Sequence, residues 1–478
     1  MNWTADILST WHNGRVSPTT PLVVGVSGGV DSLVLLHLFA HLPLHPREQL
    51  TAVYIHHGLR PEADDEADMV QATAAQWGIA SRVVRVEIPP TAASWEEAAR
   101  QARYRALGQV AAELGGHLVA TAHHADDQAE TILLNLLRGT GLGGLRGMRP
   151  WSDLPEWGPP QTLVRPLLTI WRTQIEAYAR AHGLHPTQDP SNQDTAFARN
   201  RIRHELLPTL HGYNPQVAQH LVQMGELLAA DYEIVQAAVG KAWADWAVAD
   251  GGLVVLDATG WRQSPLAVRR ELLREAVAAV CGHKLNLSFA VVETAQLALE
   301  TGTANTQTQL PHGAWAALHH HMGREVILVW VGDAAVLTDW LAQNQPQLLE
   351  AIPMPLAVPG AVQLANGWRL TAAPFLADAI APPPTPWQVV AVVSAEAQLV
   401  VRPRVAGELF RPLGGVGSAK LKKVMNACHI PAPLREKWPV VADEQGLLWL
   451  VGHRLAQRAG ETAVAPHRIL LQLHKSTS

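Results

Sequence analysis

The stretch that most limits what this chain can fold into is "PLVVGVSGGVDSLVLLHLF", residues 21–39, where β-prone apolar residues run into Ser-Gly-Gly-Val-Asp-Ser and then into a leucine-spaced helix. A strand that turns over glycines into a helix is the opening unit of a parallel sheet, and the sequence keeps that rhythm. Short β-prone runs at 22–26, 50–55, 82–86 and 117–121 alternate with helical patterns such as "EADDEADMVQATAAQWG" and "SWEEAARQARYRALGQVAAELG". The pattern predicts an α/β domain whose parallel sheet is covered on both faces. Ligands of such sheets collect beyond the carboxyl ends of the strands, so the turns after 26, 55 and 121 are predicted to share one crevice.

The first of these turns suits an anion. Glycine lets the backbone come close, hydroxyls add donors, and the helix behind supplies a positive end. Ser27, Gly28, Gly29 and Ser32, with Val30 completing the loop, fit that task. The lysine of a GK[ST] phosphate loop is missing, and Asp31 stands in the turn instead. An acid beside phosphates makes chemical sense with a divalent cation between them, and Mg²⁺ on one or two carboxylates is the expected form. For an isolated SGG, a plain capped helix start is the simpler reading.

A second motif, "TAHHADDQAETILLNLLRGTGLGGLRGM" at 121–148, follows the last run. Asp126 and Asp127 open a helix where the macrodipole favours negative charge, and Glu130 lies one turn after Asp126 on the same face. Acids there would complete a metal site of Asp31 and Asp127, unless they only cap the helix. His123 and His124 line the nucleotide pocket or finish the strand, and no third nitrogen or sulfur ligand stands nearby for zinc. Glycines at 139, 141, 143, 144 and 147 predict a flexible loop that would serve as a lid.

With 478 residues the chain calls for two to four domains. No apolar run approaches the ~18 residues that cross a bilayer, and "MNWTADILSTWHNGRV" lacks the basic-then-apolar order of a secretory signal, so a cytoplasmic protein without membrane partners is expected. Cys281 and Cys428 form no disulfide framework and no CxxC pair. The net charge of −5 is uneven: residues 390–478 carry twelve Lys and Arg against six Asp and Glu, so +6 there and −11 elsewhere. That end is a candidate surface for a polyanion, although a solubilising helix would also explain Lys420, Lys422 and Lys423. The predicted organisation is an α/β domain over 1–215, a mainly helical domain over 216–335, a linker region over 336–388 with the proline cluster "APPPTPW", and a small α+β domain over 389–478.

"SGGVDS" resembles the signature of the PP-loop ATP pyrophosphatases, of the adenine nucleotide alpha hydrolase-like fold, which split ATP into AMP and pyrophosphate to adenylate a substrate. Thiolating members and glutamine amidotransferases need a reactive cysteine, and residues 1–280 hold none. "HHADDQAETILLNLLRGTGLGGLRGM", "VRPLL" at 164–168, "QDPSN" at 188–192 and "RNRIRHELLPTL" at 199–210 are similar to the tRNA(Ile)-lysidine synthetase family. "GTANTQTQLPHGAWAAL" and "FRPLGGVGSAKLKKVMNACHIPAPLREKWPVV" resemble the later domains of its longer members. The resemblance implies a carbon–nitrogen ligase that uses ATP and Mg²⁺ to activate C2 of the wobble cytidine in CAU-anticodon tRNA(Ile), which free L-lysine then attacks. Lysidine pairs with A, which switches decoding from AUG to AUA.

In that chemistry Asp127, then Asp126, are the expected partners of the lysine ε-amine. Arg100 and Arg103, one turn apart, are candidates for the lysine carboxylate or tRNA phosphate, and Arg199, Asn200 and Arg203 for a switch or tRNA contact near the glycine-rich loop. Solvated helix charge is the plainer reading of both arginine sets. Lys420, Lys422 and Lys423 would hold tRNA phosphates without reading bases. The sequence leaves a homodimer undecided, and another PP-loop ATP-dependent RNA-modifying or amide-forming enzyme remains the alternative.

Overall fold

A computed structural model describes the chain except residues 1–2, 12–15, 59–61, 88–94, 154–157, 188–197, 251, 284–286, 304–305, 322–323, 377–381, 383–384, 386, 461–466 and 476–478. "QDPSN" and most of the proline cluster thus lie outside the described residues. Two compact units divide it, Met1–Val235 and Gln236–Ser478.

The first unit begins with α1 (Trp3–Trp11), β1 (Leu22–Gly25), α2 (Val30–His41), β2 (Leu50–His56), α3 (Glu62–Gln76), β3 (Ala80–Arg85), α4 (Trp95–Glu113), β4 (Leu118–Ala120) and α5 (Ala125–Leu137). After it come α6 (Leu142–Leu145), β5 (Trp151–Asp153), β6 (Thr162–Val164), α7 (Arg172–Ala181), α8 (Ala198–Arg201), a π-helical turn Ile202–Leu206, α9 (Leu207–Tyr213) and the first part of α10 (Val217–Trp246). The strands form one sheet in the order β3-β2-β1-β4-β6-β5, parallel apart from β5. Leu22 pairs with Leu50 on one side and Leu118 on the other, so β1 is central. Both faces are covered, which explains its unbroken apolar run. Leu22 and Val24 pack with α2, α3 and α7, whereas Val23 packs with Tyr104, Leu107 and Val110 of α4.

Helix periodicity places these layers. Ala63, Ala67, Val70 and Ala74 form one buried stripe on α3 with Glu66, which takes the Tyr54 hydroxyl, while Asp64, Asp65 and Asp68 face out. Helix α2 differs, with every residue from Ser32 to Ala40 buried. The chain order reverses direction between β1 and β4, and at such a point the strand ends leave a crevice.

In the second unit, residues up to 331 are mainly helical, as the sequence predicts, with Leu266–Cys281 and Phe289–Thr301 the longest helices after α10. They pack on a five-stranded antiparallel sheet that includes Ala314–His321 and Arg324–Val331 and that a mainly helical reading of 216–335 does not anticipate. The remainder forms two more antiparallel sheets and a short ribbon pairing Leu409–Phe410 with Ala419–Lys420.

The stretch 336–388 is not a linker. Leu337, Trp340, Leu356, Trp368 and Leu370 from it are buried in one core that also holds Leu328, Trp438 and Leu471. Its signal was present as alternation, since Val362 and Leu364, then Trp368, Leu370 and Ala372, point inward at every second residue. Proline and glycine at the strand ends read as loop punctuation and hid it.

Three histidines, one buried and two half-buried, give this unit a pH dependence. Burial holds His319, His321 and His453 at about 4. The unfolded chain takes up their protons near 6.5, whereas the folded unit does not, so stability is full above that value and falls as pH drops toward 4. Denaturant midpoints of the second unit's transition should fall between pH 7.5 and 5, and His319→Gln should flatten that slope by at most about 1.4 kcal/mol per pH unit.

Candidate active site

The turn after β1 is organised from within. Ser32 Oγ donates to Gly29 O at 2.9 Å and accepts from Ser27 N at 3.1 Å, which folds the loop over the start of α2. Gly28 sits at φ 83°, and a Cβ there would meet Thr187 Oγ1 at 2.8 Å. No side chain caps α2, so its first-turn N–H groups remain available to an anion. Ser32 thus shapes the loop, while Ser27 is exposed at its rim.

Asp31 lies in that first turn with Oδ1 buried and without a hydrogen-bond partner. Burial raises its carboxyl, more than His124 and Arg172 lower it. His124, N-cap of α5 at the end of β4, stands among three carboxylates: Nε2 is 3.8 Å from Asp31 and 3.5 Å from Asp127, and Nδ1 is 3.4 Å from Asp126. Burial alone would lower His124, but these acids raise it above the ordinary imidazole value.

Asp127 caps its own helix by accepting from His124 N at 3.1 Å through Oδ2. Its Oδ1 takes Nη2 of both Arg199 and Arg203 at 3.2 Å. Glu130, 1 % exposed, takes Arg199 Nε at 2.9 Å and Arg203 Nε at 2.6 Å. Burial would raise Asp127, yet His124 and Arg199 hold it down at about 2. Arg199 and Asn200 belong to α8, and Arg203 to the π-helical turn that follows. Asp126 is turned elsewhere, accepting Arg172 N at 2.9 Å. Burial would raise it too, but His124 and that amide bring it below the usual range.

A cleft of about 330 Å³ opens on this arrangement, lined by Ser27, Gly29 and Asp31 from the loop, Thr121 and His123 after β4, and Arg103 from α4. His123 accepts from or donates to Thr121 Oγ1 at 2.9 Å, and burial keeps its imidazole well below the ordinary value, hence neutral. Arg100 and Arg103 each place a guanidinium 5.1 Å from the ring centre of the buried Tyr104. Arg165 joins them: burial would raise the Tyr104 phenol, but Arg103, Arg100 and Arg165 bring it below its usual value.

The sequence offered His124 only as a pocket-lining or strand-ending residue, and it assigned Arg165 no role. His124 joins Asp126 and Asp127 of its own motif to Asp31 of the glycine loop, and Arg165 lies in "VRPLL", where nothing local marks it. The glycine-rich segment after α5 is pinned, in contrast to the predicted flexible lid. Asn135 Nδ2 donates to Gly144 O at 2.8 Å, Met148 N to Gln128 Oε1 at 2.7 Å, and Arg146 stacks over Tyr232 at 4.6 Å. In the second unit, Lys422 and Lys423 are exposed on the helix Leu421–Ala427, whose Leu421, Val424 and Met425 are buried, and Lys420 is its exposed N-cap.

The donor set at Asp31 suits a hard divalent cation, because an unpartnered buried carboxylate oxygen faces a loop built for phosphate. Asp127 would join it only by loosening its two guanidiniums. No three His, Cys, Asp or Glu side chains among the described residues are arranged to close around a metal ion, so phosphate and water oxygens would complete the coordination.

The chain matches known proteins along most of its length. A PP-loop domain profile matches residues 5–210, and the profile of the TilS substrate C-terminal domain matches 399–470. The tRNA(Ile)-lysidine synthase of Geobacter sulfurreducens is 33% identical over 465 residues, 95% of this chain and 93% of its own. That of Pseudomonas aeruginosa is 35% identical over 436 residues, 88% and 87% respectively. The Symbiobacterium thermophilum enzyme is 32% identical over 460 residues, 92% and 91%.

Two substitutions probe the arrangement. Gly28→Ala forces a side chain into the left-handed region against Thr187 and should cost about 1–2 kcal/mol in the first unit's denaturant transition, with weaker ATP binding by calorimetry. Glu130→Ala leaves two guanidiniums short of a buried acid and should cost about 3–5 kcal/mol in the same measurement.

Proposed function

The chain belongs to the tRNA(Ile)-lysidine synthase family and is a ligase of the PP-loop class, and we propose that it joins free L-lysine to C2 of the wobble cytidine of CAU-anticodon tRNA(Ile). The observation that carries this reading is the alignment of Asp31, His124 and Asp127 across one crevice, with a phosphate loop on one side and a doubly paired acid on the other. In the first step the cytidine C2 oxygen attacks the α-phosphorus of ATP, an O–P bond forms, and pyrophosphate leaves. In the second the lysine ε-ammonium first gives one proton to water, the free amine attacks C2, the C2 oxygen departs with AMP, and the nitrogen's second proton passes to water.

The loop of Ser27, Gly28, Gly29, Val30 and Ser32 would hold the triphosphate by its backbone N–H groups. Asp31 and Asp127 would hold Mg²⁺, which when bound supplies charge neutralisation on the departing pyrophosphate. A carboxylate held at about 2 is a poor base for an amine that titrates near 10.4. Asp127, with Asp126 and Glu130 nearby, therefore serves the lysine electrostatically, orienting its ammonium. Arg100 and Arg103 suit a carboxylate or a phosphate, Arg103 from the cleft wall itself, with His123 beside the base or nucleotide. Arg199, Asn200 and Arg203 respond to whatever enters, since a cation reaching Asp127 competes with both guanidiniums. Lys420, Lys422 and Lys423 would take tRNA phosphates. Decoding would then shift from AUG to AUA, in a reaction of the cytoplasm where tRNA is matured.

The test is transfer of labelled lysine to a CAU-anticodon tRNA(Ile) transcript. Incorporation should require ATP and Mg²⁺. Asp31→Asn should reduce tRNA-dependent ATP–pyrophosphate exchange on the order of a hundredfold, whereas Asp127→Asn should keep more exchange than transfer. Folded protein that incorporates no lysine overturns the reading.

A further inference from the structure

The second unit encloses a cavity of its own, about 350 Å³, in the size range of small-ligand pockets. Its wall is aromatic. Trp368 and Trp387 stack with their planes 5° apart and centroids 5.7 Å apart, and the His320 and His429 rings lie 5.1 Å apart. Two buried polar atoms of that wall, Trp368 Nε1 and His320 Nδ1, have no hydrogen-bond partner. Trp368 itself is 0 % exposed, so the partly exposed Trp387 is the indole of this stack that a ligand reaches. Arg454 lines the cavity, and no carboxylate does among the described residues.

We propose that this cavity takes a single unstacked nucleobase of a bound RNA strand, the indole wall stacking on its face and Arg454 holding an adjoining phosphate. The inference rests on the RNA-substrate reading above. A flat indole face suits a heterocycle, and single-stranded RNA is read by splaying bases onto aromatic side chains. The chain itself argues for a strand over a free nucleotide. Cys428 and His429 of the cavity wall immediately follow the helix that exposes Lys422 and Lys423. A strand whose phosphates ride on those lysines delivers its next base to the wall in which the helix ends. The room suffices for one nucleoside and excludes a duplex.

The test uses the full-length protein and a single-stranded RNA hexamer carrying one 2-aminopurine, with its blunt duplex and AMP as comparison probes. Stacking on the indoles should quench the hexamer's fluorescence. Trp387→Ala should weaken hexamer binding roughly tenfold, with most of it restored in Trp387→Phe. Arg454→Gln, at an exposed position, should weaken it in protein with an unaltered circular dichroism spectrum, and duplex binding should not change in either variant. Equal hexamer affinity in wild type, Trp387→Ala and Arg454→Gln would overturn the proposal. So would AMP binding as tightly as the hexamer and indifferent to Lys422→Ala. Lysine transfer is measured separately, so a protein that makes lysidine but fails this test loses only the pocket assignment.

Discussion

Burial of the Glu130 carboxylate is the constraint around which the first unit's chemistry is arranged. An ionised acid at 1 % exposure persists only with cations supplied to it, and Arg199 and Arg203 supply them with hydrogen bonds to both oxygens. To present two guanidiniums to one side of α5, the chain after α8 runs through a π-helical turn, an irregularity common at functional positions. Asp127 shares the same two arginines, and His124 together with Arg199 holds it strongly acidic. One packing requirement thus decides an electrostatic property: the acid nearest the reacting amine binds charge and does not take protons.

The sheet supplies the other half of the arrangement. Because β1 is central and buried on both faces, its carboxyl end cannot shift without moving two layers of helices. The loop after it and the turn after β4 are brought side by side by the reversal of strand order. His124 bridges the two turns, carrying positive charge into a group of three acids that would otherwise repel one another.

The parts legible in the sequence were those whose chemistry is local. Gly28 and Asp31 announce themselves because a left-handed turn and an acid in a phosphate loop are constraints of a few consecutive residues. The alternation of strands and helices through residue 121 was likewise local, as was the stripe on α3. The pairing of Glu130 with Arg203 spans 73 residues, and no periodicity links them. Arg165 was invisible for the same reason, being defined by Tyr104 and Arg103 across the sheet. The second unit's sheets were obscured differently. Strands bounded by proline and glycine resemble connecting chain until Trp368 and Leu370 are seen to face the same core as Leu471.

Helix α2 has no solvent face over the nine residues from Ser32 to Ala40, and the glycine turn is tied to it through Ser32. The turn therefore loses its backbone freedom when the domain folds, not when a nucleotide arrives, and an incoming triphosphate meets donors already aimed. Selectivity for the correct encounter must then reside in the segments that give way, above all the arginines around Asp127, while the cradle itself behaves as a rigid gauge against which each phosphate chain is measured.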